Sequence, residues 1–253
     1  MEDYEILYAS LINYHPVPFQ YIAEVDLKAD FIKQKSQFPD KLSELEFYNI
    51  TRNLIAKIGC GHTSGRPSDA WMKAVTGQKV QLPFTVQKEG ESIFVSGKVD
   101  EEFEFQLNDE ILAINHIPIS EIILKMAEYQ QRDGLTQSFV NEAIFASFRT
   151  YYLFLFGSQE DFLIDYKTKI GEINSTIVQP TNKKIIENKQ QKLADNFNKI
   201  FENNWSVFAF DSTNHVAYLK IKSFSDRNEY KDYYANVFKW LSEQPTAKLI
   251  VDI

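Results

Sequence analysis

Apolar residues recur at helical spacing through the first seventy-odd positions and switch to strict alternation from Gln81 onward. In "YEILYASLINY", Tyr4, Leu7 and Leu11 share one helical face, and the two prolines of "HPVPF" stop the helix. A second helix is predicted from Ser43, which opens an S-x-x-E capping box with Glu46. Phe47, Leu54, Ile55 and Ile58 line its apolar face, Lys57 suits its last turn, and Gly59 supplies the stop. After Gln81, "LPFTVQ", "SIFVSGKV" and "EEFEFQL" alternate with period two and read as strands, with a turn at Glu89 and Gly90. A strand over 111–114, a turn over 115–118 and a helix capped by Ser120 are expected next. The apolar run "TQSFVNEAIFASFRTYYLFLFG" predicts one longer helix ending at Gly157, followed by the strand "DFLIDYK".

Positions 169–198 are poor in aromatics, rich in Lys, Asn and Gln, and contain Pro180. They read as a linker with a solvated helix in its second half. "WSVFAF" and "VAYLKI" are strands joined by "DSTN", and a helix over about 226–241 carries Tyr230, Tyr233, Val237 and Leu241 on one face. "KLIVDI" looks like a fully buried strand. A strand–helix–strand crossover places that strand in a parallel sheet covered by helices on both faces. The neighbouring strands are not in the sequence, so it reads as a fragment ending as a third domain begins. Such an end is expected either to pair with a second copy, making a homo-oligomer, or to stay poorly ordered. The fold class is α+β and multidomain. A helical domain spans 1–77, a β-rich domain 78–170, a linker 171–200, and the start of an α/β domain 201–253.

Composition narrows the function little. The chain has 253 residues and a net charge of −8, which gives no basic patch for nucleic acid. No apolar run reaches the 20 or so residues that span a bilayer. "MEDYEILYAS" lacks the basic and apolar regions of a signal peptide, leaving a cytoplasmic protein or one whose leader has been removed.

The chemistry on offer centres on "IGCGHTSGRPS", which holds the only cysteine, Cys60, and one of four histidines, His62. At i and i+2 their side chains are expected to diverge, which argues against a Cys60 nucleophile and leaves Cys60 as packing. His15, His62, His116 and His215 show no ligand spacing, and there is no second cysteine, so no metal or other cofactor is expected. His62 is either a general base or a residue that hydrogen-bonds its loop together. Ser64 and Ser68 lie close by without the marks of a strained nucleophile elbow.

The order of motifs resembles the tricorn-type and C-terminal-processing serine peptidases, in the variety common in Bacteroidetes. "YHPVPFQY" and "EFYNITRNLIAKIGCGHTSGRPS" are similar to their leader domain. "LPFTVQ…IFVSG…LNDEILAINHIPISEII" is similar to their PDZ-like domain, with Asn108 or Asp109 where glycine is usual and Asn115–His116 where Asn-Gly is typical. "HVAYLKIKSFSD" through "KLIVDI" is similar to the opening of the catalytic domain. The resemblance implies a serine nucleophile beyond residue 253. It also implies a polypeptide substrate, recognised by adding a strand to the PDZ-like sheet, and a periplasmic or cell-envelope location. In the tricorn branch the base is a histidine in the loop after the leader helices, which His62 matches; Gly61 stands where that branch can carry Ser. No "GLGF" equivalent marks a carboxylate-capturing loop, and the stretch 80–84 is the candidate for it. A non-catalytic peptide-binding protein, or one holding a small apolar ligand, is the alternative reading.

Overall fold

The computed structural model describes residues 2–99, 103–183, 196–224, 230–244 and 248–253. They fall into two compact units, Met1–Asn188 and Lys189–Ile253. The first begins with α1 (Glu2–Tyr14), α2 (Glu24–Ser36), α3 (Glu44–Lys57) and α4 (Asp69–Val75). The capping box at Ser43 forms as read: Glu46 N–H donates to the Ser43 hydroxyl, while the Glu46 carboxylate accepts from the Ser43 N–H at 2.7 Å. Tyr4, Leu11, Leu27, Leu54 and Ile58 make the core of these helices, and Cys60 packs at its margin.

The strands β1 (Phe84–Glu89), β2 (Ser92–Lys98), β3 (Glu110–Ile114) and β4 (Ile117–Pro118) follow. Then come α5 (Ile119–Glu128), α6 (Ser138–Ala146), α7 (Phe148–Phe156), β5 (Phe162–Lys167) and β6 (Ile173–Val178). The sheet runs β1-β2-β3-β5-β6, with β4 paired to β3. Its alternation puts Val86, Ile93, Val95, Ile111, Ile114 and Ile164 against α5, α6 and α7 in one core. A further cluster joins Tyr48 of α3 and Trp71 of α4 to Leu153 and Phe154 of α7, so helical segment and sheet domain share packing.

Four expectations need correction here. "EEFEFQL" is not a strand over its described part, 103–107. The Asp109 carboxylate accepts the Gln106 N–H at 2.7 Å and folds the segment into a loop, with Phe105 buried edge-on to Phe84 and Tyr166. Ser120 is not the cap of α5; the helix starts two residues earlier than expected, at Ile119, with Pro118 as its cap. The long helix breaks in two at Ser147, whose backbone leaves the helical region at φ −128° and ψ 25°. The stretch 171–200 is bracketed by strands, because Ile173–Val178 pairs along its whole length with β5. The helix expected within that stretch falls on 184–195, outside the described residues.

The second unit contains β7 (Asn198–Glu202), β8 (Ser206–Asp211), β9 (Val216–Ile221), α8 (Tyr230–Ser242) and β10 (Lys248–Asp252). Its sheet runs β10-β9-β8-β7. The β10–β9 pairing is parallel, as a strand–helix–strand crossover requires. Val237 and Trp240 of α8 cover Phe208 and Phe210, with Ala217 and Leu219 completing the core. β10 is not a buried strand. It stands at the sheet edge beyond that core, and Leu249, Ile250 and Val251 are 37, 48 and 51% exposed.

Candidate functional site

The loop after α3 is built by close approach. Gly59 takes φ +68° at the helix end, and Gly134, between α5 and α6, takes φ +59°. A side chain on either would meet the Tyr21 ring, at 3.0 and 2.9 Å, so the ring closes down on two bare backbones. The Gly134 N–H donates to the Gly59 carbonyl at 3.0 Å. Two residues on, the Gly61 N–H donates to Asp133 Oδ1 at 2.7 Å, and a Cβ at Gly61 would sit 3.1 Å from both Asp133 oxygens. Two loops some 70 residues apart are thereby zipped together.

Behind them lies Arg52, 7% exposed. Its Nε donates to the Tyr129 carbonyl at 2.7 Å, and its other nitrogens donate to the Tyr48 hydroxyl, the Gly65 carbonyl and the side chains of Gln130 and Gln131. The guanidinium also lies 5.4 Å from the Tyr151 ring centre. Only neutral acceptors face it in these bonds, so the fork is used for its geometry: one side chain fixes the start of 129–133 and the end of 59–65.

At the mouth of the zipped loops, the ligating atoms of Cys60, His62 and Asp133 all lie within 4.8 Å of one another. This corrects the expected divergence of Cys60 and His62. The Thr63 N–H donates to the Cys60 carbonyl at 3.1 Å, and that turn folds the two side chains to one side. Hydrogen bonds from the Thr63 hydroxyl and the His62 N–H hold the Cys60 thiol below the ordinary range. His62 and Asp133 are exposed and Cys60 half-buried. Asp133 is the residue that sequence reasoning missed. The only available signal was "DG" at 133–134, which reads as an ordinary turn.

The remaining candidates are structural. Ser68 caps α4, accepting the Trp71 N–H at 3.1 Å, and its own N–H donates to Glu44. His15 accepts the Val17 N–H in a turn. Asn115 and His116 both take positive φ, as a tight hairpin turn needs, and Asn108 takes φ 66° where glycine is usual. In 80–84, the Gln81 N–H is spent on the Thr181 carbonyl and Pro83 has no N–H. Arg149 Nε donates to the Leu82 carbonyl at 2.6 Å. That stretch presents no consecutive run of free donors of the kind a carboxylate-binding nest requires.

Among the described residues no helix is long and apolar enough to cross a membrane. Residues 78–184 match the family model of the PDZ domain. No curated protein matches the chain. Among solved structures, mature CPAF complexed with lactacystin matches at 14% identity with a TM-score of 0.61, covering 99% of this chain and 54% of that one. A second structure of mature CPAF gives the same values. A serine-to-alanine mutant of CPAF matches at 13% identity and a TM-score of 0.64, over 99% and 55%. The chain spans about half the length of these structures. It carries a PDZ domain within a fold similar to that of CPAF.

Proposed function

We propose that this chain is the substrate-handling part of a serine peptidase, with the PDZ domain engaging a polypeptide and His62 serving as general base. The observation that carries the reading is the match over 99% of the chain to CPAF, whose structures include a complex with lactacystin and a serine-to-alanine mutant. The position of His62 supports it. The imidazole is exposed on a loop whose backbone is fixed by Gly59, Gly61 and Arg52, and a base must be held still while its tip stays open to substrate. In this reading the nucleophilic serine lies outside these 253 residues. His62 takes the proton of that hydroxyl and returns it to the leaving amine. The 253-residue chain alone then hydrolyses nothing.

The test compares the whole protein with its His62→Ala variant on an unstructured polypeptide. The expected outcome is a fall in turnover on the order of a hundredfold or more with melting temperature unchanged. Undiminished turnover would remove His62 from the mechanism and favour a base outside these 253 residues.

A further inference from the structure

The arrangement of Cys60, His62 and Asp133 is richer than a general base needs. A thiol, an imidazole and a carboxylate, drawn from two loops, bring one ligand atom each to within 4.8 Å of one another. That donor set is the one borderline-soft divalent ions choose, and zinc above all. With bonds of about 2.0–2.3 Å, a tetrahedral ion holds its donors roughly 3.3–3.8 Å apart. The exposed imidazole of His62 closes that gap by rotation.

The supports around the donors fit as well. Asp133 Oδ1 is anchored by the Gly61 N–H, which fixes the carboxylate and leaves Oδ2 for an ion. The Thr63 N–H donates to the Cys60 carbonyl at 3.1 Å and holds the turn that carries Cys60 and His62. Such partners orient ligands and strengthen binding. The Gly134–Gly59 hydrogen bond and the Tyr21 ring hold the two loops at a fixed distance, so the site does not have to be assembled by the ion.

We propose that Cys60, His62 and Asp133 bind a single divalent zinc-class ion, leaving a fourth position for water. On binding, Cys60 releases its proton to solvent and becomes a thiolate ligand. The ion occupies the lone pair of His62, so metal-bound and base-competent states exclude one another. The binding claim stands apart from the peptidase reading; only the consequence that zinc silences turnover rests on it.

The experiment titrates the purified 253-residue chain with Co(II) and then displaces it with Zn(II). One equivalent of cobalt is expected to give tetrahedral d–d bands with a sulfur-to-cobalt charge-transfer band, both removed by zinc. Cys60→Ser should abolish the charge-transfer band, and Asp133→Asn should weaken binding at least about tenfold. His15→Gln should leave both unchanged. The wild-type spectrum reports the thiolate directly, so the test survives a variant that folds poorly. Cobalt that fails to saturate, or that saturates without a charge-transfer band, overturns the proposal. So does wild-type affinity in both site variants. None of these outcomes bears on whether His62→Ala slows the whole protein, so the two readings fail separately.

Discussion

Gly61 shows how much the site depends on an atom that is missing. Its bare Cα lets the Asp133 carboxylate come within hydrogen-bonding distance of its own N–H. Any β-carbon would lie 3.1 Å from both carboxylate oxygens, closer than such contacts ordinarily settle. Asp133 is exposed and can swing away, so the cost of Gly61→Ala is chiefly the lost hydrogen bond, about 1 kcal/mol. Gly65→Ala is the matched control, because its new methyl meets only the tip of Ile55 at 3.3 Å. Urea denaturation of both variants should show the larger loss at Gly61. Equal losses would mean that the Asp133 contact does not hold the loops.

Elements whose signals are local were legible in the sequence, and those decided by distant partners were not. Ser43 with Glu46 specified the start of α3, and Gly59 its end, because both signals lie within a turn of the residues they govern. "EEFEFQL" carried a strand's alternation, yet its Phe105 is buried from a loop closed by Asp109, and alternation alone does not distinguish the two. Asp133 could not be found, since its role depends on Gly61 more than 70 residues away. The β8–β9 turn is a case in which local chemistry suffices. The Asp211 carboxylate accepts from the Asn214 side chain at 2.7 Å and from the N–H groups of Asn214 and Thr213. These bonds, the Asn214 side chain foremost, hold its carboxyl below the ordinary range. Folding therefore favours the charged form. Its contribution is present above the unfolded value, near pH 4, and is lost as the pH falls through the lower folded value. At neutral pH Asp211→Asn should unfold at lower urea than the natural chain, and the difference should shrink below about pH 4. A difference that stays constant down to about pH 2 would contradict the assignment.

Across the first unit, one buried cation does the work of a joint. Arg52 leaves α3 and reaches Tyr129, Gln130 and Gln131 after α5, while also holding Gly65 at the far end of the His62 loop. The helical segment and the PDZ domain thus meet through a fork whose bonds end on neutral acceptors, and both loops of the candidate site hang from it. Replacing Arg52 by Met keeps much of the volume but orphans buried acceptors, each costing about 1–3 kcal/mol where water cannot enter. A total loss of about 3 kcal/mol is expected, which is large against ordinary domain stabilities. Lys retains the charge but has a single nitrogen in place of the planar fork, so Arg52→Lys should recover only part of it. The distinguishing measurement is amide exchange. In either variant the Gly61 and Gly134 amides, whose N–H groups close the zipped loops, should exchange faster, while amides paired between β8 and β9 keep their rates. If Gly61 and Gly134 stay as protected as in the natural chain, the loops are held by Tyr21 and by each other, and Arg52 is only a packing residue.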